Sequence, residues 1–315
     1  MTRNYKEDYR RLARNVCWAT LTTPFKENGE VDEIGLRKNV QAYIDKSTSE
    51  YPIGLQACGT YGESLYMTDD ERKRVTRITL EEGRGKVPVA AVVLNGDGCL
   101  KRTAEMAHYC QELGADAINV APPSYYFHPE PEGIFQWFKA LADEVEVGIV
   151  IYNLAARFNF YMDVAFIRRL AEEIPQIVGM KHAPTGLDKR LEMLRELGDI
   201  IGVIEGAEAY APYTLPLGSP GYMSSSVLFA PDLIQRWTRA IVEKDQETVQ
   251  EINQKFQAYR SLQARIPAQP PIVLKAAMDM VGLAGGYLRL PLQPLGKTHR
   301  RELHLALVEL GLELV

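Results

Sequence analysis

Lys181 closes the apolar run Ile177-Val178-Gly179-Met180. An ammonium in that position is expected to lose hydration, and the neutral amine is the form that attacks a ketone. Such an attack opens imine chemistry, in which the protonated imine is the electron sink for making or breaking a carbon–carbon bond. Imine formation also needs a carrier that moves protons between the amine, the carbinolamine oxygen and the departing water. Tyr152, at the end of VGIVIY, is the natural carrier. A lone phenol, with a pKa of about 10, is a poor relay. A hydrogen-bonded chain of Tyr152, Thr60 and Tyr126 would serve better.

A 2-oxo acid brings a carboxylate to the same place. Arg157 can clamp it with its planar fork. The G-T-Y-G loop, Gly59 to Gly62, can present backbone N–H groups to it and carries Tyr61 beside Thr60. The E-G-A-E segment around Gly206 and the serine cluster Ser224 to Ser226, with Ser225 at its centre, add small polar surfaces for substrate. Each residue also has a plainer reading. A lysine at a strand end often holds its head in solvent. A tyrosine often packs as an amphipathic wall, an arginine in a loop is usually a surface residue, and a lone G-x-x-G is often only a tight turn.

Other chemistries lack their residues. His108, His128, His182, His299 and His304 show no H-x-x-x-H spacing, so a metal-dependent aldolase is disfavoured. His182 would face away from Lys181 on a regular strand, a structural placement. Gly85-Lys86 lacks the P-loop frame, and Asp69 and Asp70 read as acids at a helix N-terminus. Cys17, Cys58, Cys99 and Cys110 are scattered without a C-x-x-C pair, which points away from disulfides and toward a cytoplasmic protein. The charged N-terminus is no secretory signal. No apolar run approaches the roughly 20 residues of a membrane span. With a net charge of −5 spread along the chain, neither nucleic acid nor membrane is an expected partner.

These residues must be held by strands. Short β-rich runs at 16–22, 53–57, 87–93, 117–120, 147–152, 177–181, 200–206 and 221–226 alternate with amphipathic stretches such as Leu100–Leu113 and Val164–Glu173. Thr68 and Glu71 are spaced as a capping box for the helix after the second strand. Strand–helix units in series imply parallel pairing with right-handed crossovers. Eight of them predict a (β/α)8 barrel, the TIM fold, rather than an open doubly wound sheet, for which no G-x-G-x-x-G follows the first strand. The candidate residues then stand at the C-terminal strand ends, where barrel active sites form. Past Pro231 strands give way to helices at 233–245, 247–265, 272–282 and 299–312, with PAQPP (267–271) as a connector. We expect a barrel over 1–243 and a helical C-terminal appendage over 244–315. At 315 residues and 46% hydrophobic, the chain can fill such a core.

G-T-Y-G-E-S, Y-Y-F-H-P, Y-N-L-A-A-R and G-M-K-H-A-P-T-G, with TTPF (22–25), L-G-A-D-A and LPLQPL (290–295), fall in a familiar order and spacing. From about Thr20 to its end the chain resembles the dihydrodipicolinate synthase / N-acetylneuraminate lyase family of imine-forming aldolases. The resemblance implies that Lys181 is the Schiff-base lysine, Tyr152 the proton-transferring tyrosine and Thr60 the relay threonine. It implies that Tyr126 reaches in from a neighbouring subunit and that Arg157 binds a substrate carboxylate. It also implies a homo-oligomer, a dimer or a dimer of dimers, and no cofactor beyond the covalent imine on Lys181. The chain departs from the family at Tyr61, where a small hydroxyl residue is usual. It lacks the proline of Y-N-x-P, has His182 for an acidic residue, and carries Ser124 as an insertion.

The leading expectation is a lyase or synthase joining pyruvate, or another 2-oxo acid, to an aldehyde. The alternatives are a dehydratase or hydratase-aldolase using the same imine, dihydrodipicolinate synthase proper, and a non-catalytic 2-oxo acid binder. Tyr61 puts a ring where a small hydroxyl normally meets the aldehyde's carboxylate, an overpacking of roughly 1–3 kcal/mol unless the loop moves. A flat or hydrophobic aldehyde stacked on Tyr61, Tyr126, Phe158 and Phe160 is therefore expected in place of aspartate semialdehyde.

Overall fold

Each β-rich run becomes a strand whose residues are all buried, because one face looks into a barrel and the other under a helix. In the computed structural model, which describes residues 4–93, 98–123, 130–154, 158, 160–183, 186–266 and 270–315, the strands are β1 (Val16–Thr20), β2 (Ile53–Ala57), β3 (Val89–Val93), β4 (Ala117–Val120), β5 (Gly148–Asn153), β6 (Ile177–His182), β7 (Gly202–Glu205) and β8 (Gly221–Ser224). They pair in parallel in chain order, and β8 closes on β1. The chain is a TIM barrel followed by C-terminal helices.

Trp18, Ala90, Val150, Ile204 and Met223 fill the barrel interior. The helix Tyr5–Leu12 plugs its N-terminal end with Tyr9, and two glycines make room for that ring: a Cβ on Gly179 would lie 2.7 Å from Tyr9 Cε1 and one on Gly202 would lie 3.1 Å away. The register between β5 and β6 slips after Ile149, so that Val150 pairs with Gly179 and Tyr152 with Lys181. The pairing of the two principal candidates is thus set by a bulge, a common device beside barrel sites.

The helix Asp69–Gly83 opens on the predicted capping box. The Thr68 Oγ1 accepts from the Glu71 N–H at 3.3 Å, and the Glu71 carboxylate accepts from the Thr68 N–H at 2.8 Å. The helix expected over 247–265 is two, Gln246–Lys255 and Gln257–Arg265, parted at Phe256. Phe256, Tyr259, Leu262, Val273 and Leu274 belong to the same apolar cluster as Leu36, Val40 and Trp237 of the barrel helices. The C-terminal helices therefore share a core with the barrel. Residues 267–269 of the expected connector lie outside the described residues. Pro270 and Pro271 begin the helix Pro270–Met280, at positions where a proline costs no hydrogen bond. Among the described residues no helix is long and apolar enough to cross a membrane.

Candidate active site

The C-terminal strand ends surround a cavity of about 330 Å³. Lys181, Tyr152, Thr60, Tyr61, Gly206 and Ser225 all line it. Lys181 is 8% exposed, with Nζ 4.2 Å from the centre of the Tyr152 ring. Tyr152 is 5% exposed and braced edge-on by Phe158, with ring centres 5.1 Å apart. Beside it Asn153 Nδ2 donates to Met162 O at 2.7 Å while its Oδ1 accepts from the Met162 N–H at 3.3 Å.

Thr60 and Tyr61 stand on a single 3₁₀ turn, Thr60–Gly62, after β2. Gly59 caps that turn but is not part of the cavity wall. Directly after it Glu63 takes a left-handed backbone (φ 57°) and turns its carboxylate inward to form an ion pair with Lys275. Both side chains are buried. Lys275 Nζ also donates to Tyr287 O at 2.6 Å and lies 4.5 Å from the centre of the Phe25 ring. Burial pulls the Lys275 ammonium below its usual pKa range, with Glu63 opposing. The Arg289 N–H donates to the second Glu63 oxygen at 2.9 Å, and its guanidinium grips Glu71 of the capping box. A buried ionic network from the C-terminal helices thus fixes the loop that carries Thr60 and Tyr61. Breaking such a pair by removing one partner costs about 3–5 kcal/mol, because a charge is stranded.

The E-G-A-E segment and the serine cluster meet on the cavity wall. Glu208 accepts from Ser224 Oγ at 2.5 Å, Ser226 Oγ at 2.8 Å and the Ser226 N–H at 3.1 Å. Thr20 Oγ1 donates to Ser224 O at 3.1 Å. Arg260 and Gln263 reach the same cavity from the helix Gln257–Arg265, and Gln56 lines it from β2. Two expected residues, Tyr126 and Arg157, lie outside the described residues.

The aromatic platform expected of Phe158 and Phe160 is corrected by the packing. Phe158 sits behind Tyr152, and Phe160 packs edge-on against Phe166 with ring centres 5.5 Å apart. Neither is part of the cavity wall. Two residues apart on a loop, they had no period to fix their direction.

His182 turns to the other side of β6, among Arg190, Glu205, Thr214 and Ser219. It is 2% exposed, and burial, with the nearby Arg190 charge, lowers its pKa to about 4. The unfolded chain takes up this proton as the pH falls through 6.5, whereas the folded chain resists until about 4. The stability tied to a neutral His182 is therefore complete above pH 6.5. It declines as the pH drops toward 4, by on the order of 3 kcal/mol. Urea unfolding at pH 7 and pH 4.5 should show His182→Asn losing less stability than the parent chain. Equal losses would remove His182 as the source.

The chain matches the model of the dihydrodipicolinate synthetase family over residues 14–310. It is 32% identical over 293 residues to the 4-hydroxy-tetrahydrodipicolinate synthase of Chloroherpeton thalassium, covering 93% of this chain and 94% of that one. The chain belongs to the dihydrodipicolinate synthetase family. Its fold superposes on the crystal structure of dihydrodipicolinate synthase from Aquifex aeolicus with a TM-score of 0.85 and 28% identity, over 95% of this chain and 98% of the other. The chloride-inhibited dihydrodipicolinate synthase of Acinetobacter baumannii, solved in complex with pyruvate, matches with a TM-score of 0.84 and 28% identity, over 94% and 98%. Enzymes of the dihydrodipicolinate synthetase family use a lysine Schiff base with pyruvate and no external cofactor, and this chain is a lyase-type aldolase of that class.

Proposed function

We propose that Lys181 is the imine-forming lysine and that the enzyme joins pyruvate to a polar, hydroxylated aldehyde, or splits the product. One observation carries the reading. The Lys181 amine stands 4.2 Å from the Tyr152 ring centre at one cavity, with Thr60 on its wall.

The amine attacks C2 of pyruvate. One proton passes from the nitrogen to the resulting oxygen and Tyr152 gives a second, so that it leaves as water. The Tyr152 phenolate then takes a C3 proton, which turns the protonated imine into an enamine whose carbon attacks the aldehyde. Tyr152 returns that proton to the aldehyde oxygen, and water hydrolyses the new imine, freeing Lys181 and restoring the Tyr152 proton. Thr60 and the tyrosine at 126 extend the relay to solvent, with Tyr126 supplied by a second subunit of a dimer or dimer of dimers. Tyr61 offers its backbone N–H to the pyruvate carboxylate, Gly206 and Ser225 bound the nascent bond, and Arg157 is the clamp the resemblance implies for a substrate carboxylate. The cytoplasm suits an enzyme of pyruvate whose cysteines show no C-x-x-C spacing.

The hydroxylated partner follows from the wall. Thr20, Gln56, Ser225, Ser226 and Gln263 line the cavity, whereas Phe158 and Phe160 do not. The relatives' name favours a second reading, 4-hydroxy-tetrahydrodipicolinate synthesis. Tyr61 on the cavity wall argues against it, because it narrows the space for aspartate semialdehyde. Pyruvate consumption with D-glyceraldehyde, benzaldehyde and aspartate semialdehyde separates them. We expect kcat/KM for D-glyceraldehyde to exceed both others by about 10-fold, the value of a few well-placed hydrogen bonds. A clear preference for aspartate semialdehyde would return the enzyme to the activity its relatives are named for.

A further inference from the structure

Arg260 lies on the helix Gln257–Arg265, outside the barrel, yet its side chain borders the cavity that holds Lys181. Its stem rests on Phe256 and Trp237, with the guanidinium carbon 5.5 and 5.9 Å from their ring centres. One terminal nitrogen, Nη1, reaches Asn253 Oδ1 at 3.3 Å. The other, Nη2, is buried and makes no hydrogen bond among the described residues. Glu208 Oε1 stands 3.7 Å from it, an ion pair without a hydrogen bond, and the Arg260 side chain keeps 30% of its surface exposed. Glu208 is itself occupied by its three bonds from Ser224 and Ser226. A guanidinium held by one long ion pair and one hydrogen bond keeps donors to spare for a further acceptor.

We propose that Arg260 is a specificity-determining residue, which takes a carboxylate at the far end of the hydroxylated aldehyde partner. The inference rests on the imine reading above, which puts the reacting carbon at Lys181 and leaves Arg260 to meet the end of the chain that grows from it. A planar fork suits a carboxylate better than a hydroxyl, since two parallel charge-assisted bonds form. Gln263 sits one turn on along the same helix and lines the same cavity, with its Nε2 committed to the Tyr259 hydroxyl at 2.8 Å. Among the described residues the cation at this end is Arg260, and the serines and Gln263 face the hydroxyls. The substrate class is an open-chain sugar acid rather than a neutral sugar.

Threonate and threitol differ in a carboxylate and cannot react with the amine. Their binding in saturating pyruvate is to be measured by calorimetry for the parent enzyme, R260A and R260K. We expect the parent to bind threonate at least about 10-fold more tightly than threitol, as one charge-assisted pair allows. R260A should bind the two alike, with threitol affinity unchanged, and R260K should keep part of the preference. Equal binding of both by the parent, or a preference that survives in R260A, overturns the proposal. Borohydride trapping with pyruvate on the same samples reads the imine separately. A missing adduct would remove the imine reading, whereas the carboxylate preference is decided by calorimetry alone.

Discussion

Lys181→Met should lower turnover by about 10⁴-fold or more, the size of effect seen when a covalent catalyst is removed. Methionine keeps most of the stem that packs at the end of β6 and removes only the amine. The side chain is 8% exposed, so the substitution replaces a nearly buried polar amine by an apolar group and should leave the melting temperature equal or higher. That pairing of outcomes distinguishes a lost catalyst from a lost fold. Circular dichroism melts and single-turnover pyruvate consumption provide the two readings. Activity within about 100-fold of the parent would show that another nucleophile, or no covalent step, carries the reaction.

Tyr152→Phe should cut turnover by roughly 100-fold or more, as expected for a positioned general acid–base group. Phenylalanine retains the ring that meets Phe158 edge-on and lies beneath the Lys181 amine, so the fold and the cavity keep their shape. The loss should appear in kcat more than in KM, because the hydroxyl acts while protons move and contributes little to holding pyruvate. Imine formation should become slow rather than absent. A variant that turns over like the parent would place the proton carrier elsewhere, and one that loses its melting transition would make the hydroxyl structural.

Much of this arrangement was legible in the sequence for physical reasons. A strand buried on both faces favours an apolar, β-rich run, and all eight strands lie within runs of that kind or, at β8, within the small-residue run 221–226. Lys181 stood out because a charge interrupts one of them. Strand ends were read too long at Leu21 and Ile200, since the end of a strand depends on its neighbour's hydrogen bonds. The slip after Ile149 that brings Tyr152 opposite Lys181 is of the same kind.

The far wall was hidden. Arg260 and Gln263 lie on an amphipathic helix whose polar face would ordinarily meet water. Only docking onto the barrel, through Phe256, Tyr259 and Leu262, turns part of that face to the cavity. The Glu63–Lys275 pair had a usable signal, a lysine inside IVLKAAM, the same interruption that marked Lys181. Its partner could not be found by spacing, because the two residues meet only after the C-terminal helices close on the loop after β2.

The most direct test is chemical capture. The protein is incubated with pyruvate, reduced with borohydride, digested and read by mass spectrometry, beside Lys181→Met treated alike. The account predicts a reduced pyruvate adduct on the peptide containing Lys181, formed in step with the loss of activity and missing from the variant. No adduct on Lys181 with pyruvate or any other 2-oxo acid tried, in enzyme that remains folded, would contradict it.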